Sequence, residues 1–179
     1  MRFGQLPRSE HPLVALRPIE VDDLPLWAAY LSLPAVYEHT SWTFPTAADL
    51  AGYAGSESSR ASSAPLRLAV ATRSTNQLVG TIGFHTVSAE NRSAELTYDL
   101  EPGMWGRGIV TYLGAVMVAW AHEHAGVVRV QATVLEANIR SIRVLERVGF
   151  VREGLLRSYR HVRGAPADFY MYAHLRPGR

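Results

Sequence analysis

The chain has 179 residues, of which 47% are hydrophobic and 19% charged; that length and balance suit one globular domain with its own core, here residues 1–179. It contains no cysteine, which excludes disulfides and thiolate chemistry and sets a cytoplasmic expectation. The net charge is only +2, every basic residue is an arginine, and ten arginines against four acids fall from Arg129 onward. Such a surplus can attract phosphates, although solvated helix faces produce it as easily.

The opening residues MRFGQLPRSEHPLV lack the apolar run of a signal peptide, and no stretch reaches the ~18 apolar residues of a membrane span. No membrane partner is expected. In chain order, LVALRPI (13–19) reads as a strand ended by Pro18. DDLPLWAAYLS (22–32) reads as a helix capped by Asp22 or Asp23, with Pro25 in its first turn. A second helix begins near Thr46, whose hydroxyl can cap it. SSRASSAP (58–65) is a polar turn. LRLAVAT (66–72), LVGTIGFHTV (78–87) and RSAELTYDL (92–100) are partly alternating and read as a strand meander.

The pattern then changes to a helical stripe of Ile109, Leu113, Val116, Met117 and Trp120. VVRVQATVL (127–135) is a strand. The next helix has Asn138 as N-cap, apolar Ile142, Leu145 and Val148, and Gly149 at its stop. FVREGLLRSYRHV and DFYMYAHL, joined by a turn at RGAPA, make a last pair of strands. There is no repeat or linker, so the order describes one mixed α/β domain.

The segment GMWGRGIV (103–110) joins a strand to a helix. A helix start carries unpaired amides and a partial positive charge of ~0.5 e, which hold a phosphate well. Gly106 and Gly108 remove the side chains that would keep a pyrophosphate away; Arg107 adds a charge or points to solvent. Close helix–sheet packing would explain the same glycines. A Walker loop is excluded because it needs a lysine. A dinucleotide fingerprint needs the opposite glycine spacing after a first strand, although Glu136 does stand near the end of the next strand.

WGRGIV (105–110) also resembles the acetyl-CoA loop Q/R-x-x-G-x-G/A of Gcn5-related N-acetyltransferases, with Trp105 in place of Gln/Arg and Val110 in place of the small last residue. NIRSIRVLERVGF (138–150) is similar to the second signature of that superfamily's RimJ/RimL branch, N-x-x-S-x-x-x-L-E-x-x-G-F. AVYEHTSWTFPT, AELTYDLEPGMWGRG and VREGLLR extend the similarity over nearly the whole chain. The resemblance implies an α/β (α+β) fold: a twisted, mostly antiparallel sheet of about seven strands with about four helices and a splay between its central strands. It implies acetyl-CoA as donor. The pantetheine arm would lie along the fourth strand, where an amide near Leu100 faces the thioester oxygen. Trp105, Gly106, Arg107, Gly108, Ile109 and Val110 would hold the pyrophosphate end, and Asn138 would touch pantetheine as well as cap its helix.

Acetyl transfer to an amine requires loss of a proton from the ammonium, stabilisation of an oxyanion and departure of a thiolate. An α-amine, at about 7.7–8.0, needs a base less than a lysine amine at about 10.4. The branch offers a serine three residues after the asparagine, here Ser141, as the acid; the tyrosine used elsewhere in the superfamily is Leu145. Some RimL-like proteins carry a carboxylate ten residues past the signature's phenylalanine, but that position is Arg160. Glu95 is the preferred base instead, ahead of Asp99, His85 and Asp168. His122 and His124, at i and i+2, cannot share a metal-ligating face, so no metal is expected. The acceptor would be a protein N-terminal amine or a small-molecule or peptide amine, met by the early helices and RHVRGAPADF, whose arginines favour an acidic one. A homodimer stays open. The rival readings are a non-catalytic acyl-CoA-binding regulatory domain and a nucleic-acid module; the latter is disfavoured because the arginines are not interleaved with a stacking platform.

Overall fold

A computed structural model describes residues 6–40, 44–55 and 65–178; most of the turn expected at 58–65 lies outside them. Strand β1 (Val14–Pro18) ends at its proline and pairs with β2 (Leu66–Thr72). Between them run helices α1 (Leu24–Leu31), α2 (Pro34–Tyr37) and α3 (Ala47–Leu50). The short α2 is not legible as a period, because one turn has none; a proline at its first position starts it. Thr46 caps α3, accepting from the Asp49 amide at 3.3 Å. Neither Asp22 nor Asp23 caps α1 with its side chain. A 3-10 turn, Val21–Asp23, precedes that helix. The Asp23 carboxylate is taken by the Arg17 guanidinium at 2.6 and 2.8 Å and by the Glu20 amide at 2.8 Å.

The meander continues through β3 (Leu78–Ser88) and β4 (Ser93–Leu100), followed by α4 (Ile109–Glu123), β5 (Arg129–Leu135) and α5 (Ile139–Val148). A hairpin of β6 (Val151–Val162) and β7 (Ala165–Leu175) completes the fold. β7 starts at Ala165 rather than Asp168, because Arg163 and Gly164, at φ 53° and 81°, form the turn by themselves. The seven strands form one sheet in the order β1-β2-β3-β4-β5-β7-β6, with β4–β5 its parallel pair.

Alternation along the strands assigns the two faces. Ala94, Leu96 and Leu100 of β4, with Val130, Ala132 and Val134 of β5, join the core beneath α4 and α5; Tyr98 packs against the same cluster. α4 buries Ile109, Leu113, Met117, Val118 and Trp120 there, so Val118 rather than Val116 completes its stripe. At Gly114 a side chain would meet Val148 of α5 at 3.2 Å, so the two helices pack closely at that point. On the other face Trp27, Leu31, Leu50 and Ile19 pack with Ala69 and Leu78.

That second face also buries charge. Asp99 accepts from the Tyr30 phenol, the Arg67 guanidinium and, at 2.8 Å, the Thr81 hydroxyl. Arg67 further donates to Thr81 and Thr97, both at 2.7 Å. Burial and the adjacent carboxylate push the Tyr30 phenol well above its ordinary range. A buried ion costs several kcal/mol to desolvate and is tolerated only when its partners are in place. Beneath α4, His122 meets the Val127 carbonyl through Nδ1 at 2.8 Å and His174 Nδ1 through Nε2 at 3.1 Å. A carbonyl only accepts, so His122 Nδ1 carries a hydrogen and its Nε2 accepts from His174.

Arg67→Met leaves the Asp99 carboxylate buried without its cation and is expected to destabilise the protein by about 3–5 kcal/mol in urea unfolding. Burial, then the neighbouring His122, lowers the His174 pKa from its ordinary 6.5. The native state therefore binds fewer protons than the unfolded chain, and this contribution to stability is present above about pH 6.5 and lost as pH falls through the folded value. Thermal unfolding between pH 7 and 5 is expected to show the loss, with a shallower slope in His174→Gln.

Candidate active site

β4 and β5 pair only at Ser93–Arg129, Ala94–Val130 and Glu95–Gln131. Beyond Glu95 the two strands diverge, while β4 stays bonded to β3 as far as Leu100 and β5 to β7 as far as Leu135. Among the described residues the facing edges, Leu96–Leu100 and 132–135, are thereby left without a strand partner. Each unpaired edge displays amides and carbonyls that an extended ligand can bond. The fork opens into a cleft of about 890 Å³, within the usual range for a small-molecule site.

The glycine segment lies at the head of the fork. Gly106 and Gly108 adopt φ of 75° and 71°, a region closed to most side chains, and among the described residues a Cβ at either would meet nothing within 4 Å. Close packing therefore does not explain these two glycines; the backbone turn and open access do. Gly108 is the N-cap of α4 and offers no side-chain cap. Its carbonyl accepts from Tyr112 at 2.9 Å, so the amides of Ile109, Val110 and Thr111 have no carbonyl of their own helix to bond. Trp105 fastens the loop to β4, its indole nitrogen donating to the Leu100 carbonyl at 2.7 Å. Its ring also lies under the Arg140 guanidinium, 4.5 Å from the centroid. The Arg107 side chain is exposed.

The far wall is α5. Asn138 caps it, Oδ1 accepting from the Ser141 amide at 3.0 Å, and its Nδ2 donates to the His39 carbonyl at 3.1 Å. One side chain thus joins the helix to the segment after α2. Ser141 Oγ stands 2.6 Å from the Tyr98 hydroxyl. Burial, eased by the hydrogen bond with Ser141, pushes Tyr98 up to about 12. Its partner hydroxyl was not anticipated from sequence, although alternation with Leu96 and Leu100 does point Tyr98 toward α5.

Glu95 occupies the last paired rung, buried and on the face opposite Tyr98. It accepts from Thr133 Oγ1 at 2.7 Å and from Gln131 Nε2 at 3.4 Å. Arg160, which stands where some RimL-like proteins carry the carboxylate, approaches Glu95 Oε1 at 3.5 Å, and His85 Nε2 lies at 3.6 Å. The structure therefore groups Glu95, His85 and Arg160 at the base of the fork. Asp99 is used up by Tyr30, Arg67 and Thr81, and Asp168 accepts from the Ser158 amide at 2.7 Å. Arg163 donates to the Tyr37 carbonyl at 3.1 Å, so Arg160 and Arg163 are both already engaged. His122 is buried against His174 and His124 is exposed.

A fork between parallel strands, with a glycine-built helix start at its head, is the architecture of an acyl-CoA acetyltransferase domain. Residues 14–151 match the acetyltransferase (GNAT) domain family, and the chain belongs to it. Over 112 residues it is 34% identical to the uncharacterized N-acetyltransferase YoaA of Bacillus subtilis (strain 168), covering 63% of each protein. It is 27% identical over 103 residues, 56% of each, to the ribosomal-protein-serine acetyltransferase of Escherichia coli (strain K12). The chain thus matches less than two thirds of the length of these relatives. Among solved structures, Mycobacterium smegmatis RimJ in complex with CoA-disulfide superposes with a TM-score of 0.76 at 24% identity, covering 92% of this chain and 86% of that one; it shares the fold.

Asn138→Ala removes both the cap of α5 and the bond to His39. Its unfolding free energy is expected to drop by about 1–2 kcal/mol, as read by chemical denaturation.

Proposed function

We propose that the chain is an acetyl-CoA-dependent N-acetyltransferase in which residues 1–179 act as one acetyltransferase domain, passing the acetyl group directly to a primary amine in a ternary complex. The observation that carries this reading is the unpartnered edge of β4 ending beside the uncapped start of α4. The edge suits the pantetheine amides, and the amides of residues 106–110 suit the diphosphate. Leu100 lines the cleft at the point where the thioester would lie, and Asn138 borders it from α5. The names of the relatives support amine acetylation, and the cytoplasm is the fitting place of action.

In this reading Glu95 and Ser141 work from opposite faces of the fork. The amine enters on the Glu95 side, between the early helices and β6, where Ala35, Val36 and Tyr53 line the cleft. Glu95 takes the amine proton, directly or through a water. An α-amine, at about 7.7–8.0, is already partly neutral at physiological pH, so a single carboxylate meets the need. Ser141 faces the departing sulfur and donates a hydrogen bond to it. We assign a polypeptide N-terminal α-amine as the acceptor, following the ribosomal-protein acetyltransferases among the relatives.

Calorimetry is expected to show CoA binding. Gly108→Ala forces a side chain into the left-handed region, at about 1 kcal/mol or more, and is expected to weaken that binding by roughly tenfold. Radiolabelled acetyl transfer to hexapeptides with free Ser, Ala or Met N-termini, with spermidine in parallel, tests the acceptor. Glu95→Gln is expected to lower kcat by about 10²-fold or more. Binding of CoA without transfer to any of these amines would favour a regulatory acyl-CoA-binding domain instead.

A further inference from the structure

Ser141 does not face the cleft alone. Its Oγ lies 2.6 Å from the hydroxyl of Tyr98, which stands near the middle of the unpaired stretch of β4. The same phenol is 3.4 Å from the Ser141 carbonyl, so it is aimed at the first turn of α5. Strand alternation puts Tyr98 there, and the Asn138 cap fixes the turn that carries Ser141. Both residues line the cleft.

We propose that Tyr98 is a positioning residue for acetyl transfer, donating its phenolic hydrogen to Ser141 Oγ so that the serine hydrogen is directed at the sulfur of the thioester. The inference rests on the role given to Ser141 above. A phenol is a stronger acid than an alkyl hydroxyl, so within the pair Tyr98 donates and Ser141 accepts. A hydroxyl that accepts a hydrogen bond becomes a better donor through its own hydrogen. Without Tyr98 the serine hydroxyl is free to turn toward nearby backbone carbonyls instead.

The proton inventory limits what Tyr98 does. A phenol held at about 12 does not surrender its proton to a thiolate whose conjugate acid lies at about 8.5. Tyr98 is therefore not the acid; the serine hydrogen bond steadies the departing thiolate, which then takes its proton from water. In the balanced step the amine nitrogen bonds the carbonyl carbon, the carbon–sulfur bond breaks, and its electron pair stays on sulfur. The nitrogen's proton passes to Glu95 and then to water. The serine and tyrosine hydroxyls keep their hydrogens throughout.

Tyr98→Phe, Ser141→Ala and the double variant test this with acetyl-CoA and whichever peptide of the panel is turned over. A hydrogen bond that sharpens during charge build-up on sulfur predicts that Tyr98→Phe lowers kcat about tenfold while KM for acetyl-CoA stays within about twofold. The double variant is expected to be no slower than Ser141→Ala alone, because Tyr98 acts only through the serine. Calorimetric CoA affinity and the thermal midpoint, recorded on each variant, separate this effect from a merely structural one. Wild-type kcat in Tyr98→Phe, or losses that multiply in the double variant, would overturn the proposal while leaving the role of Ser141 intact. Wild-type kcat in Ser141→Ala, or no turnover of any amine, would overturn the assigned role of Ser141 and this inference with it.

Discussion

The parting of β4 from β5 after Glu95 is the constraint on which the rest depends. A sheet interior ordinarily satisfies every backbone group with its neighbour, and leaving a stretch of two strands unpaired exposes polar groups at real cost. The chain sustains the gap because each strand is firmly bonded on its other side, β4 to β3 and β5 to β7. α4 and α5 close one face above it, joined where Gly114 allows the close approach of Val148. The Tyr30–Asp99–Arg67 network stiffens β4 from the opposite face.

Position in the fork explains the division of side chains. Odd-numbered residues of β4 reach a polar face, and even-numbered ones reach the helices. Where the strands are paired, these faces are insulated from each other. Where they part, Glu95 on one face and the Tyr98–Ser141 pair on the other open onto the same cleft. A carboxylate and a pair of hydroxyls are thus kept apart by the sheet itself and still reach one cleft.

Much of this was legible in the residues. The meander, the stripe of α4 and the cap and stop of α5 follow from local periodicity and from Asn138 and Gly149, whose roles need no long-range partner. The phosphate-loop reading of Gly106 and Gly108 was legible only as one of two options; the open space around both settles that they are not packing glycines. What stayed hidden depends on contacts between distant segments. Asp23 looked like a cap because Arg17 as its competitor depends on how β1 lies against the turn. Arg160 looked like the loss of a carboxylate, and its approach to Glu95 could not be seen without the register of β6 against β7 and β5. Tyr98 could be assigned a face but not a partner.

The bond between Asn138 and the His39 carbonyl has a mechanical meaning. The same amide side chain that starts α5 also holds the His39 carbonyl after α2, so strain at His39 is passed to the helix turn that carries Ser141. In the mechanism proposed above, that one residue would couple the amine side of the cleft to the hydroxyl on its thioester side.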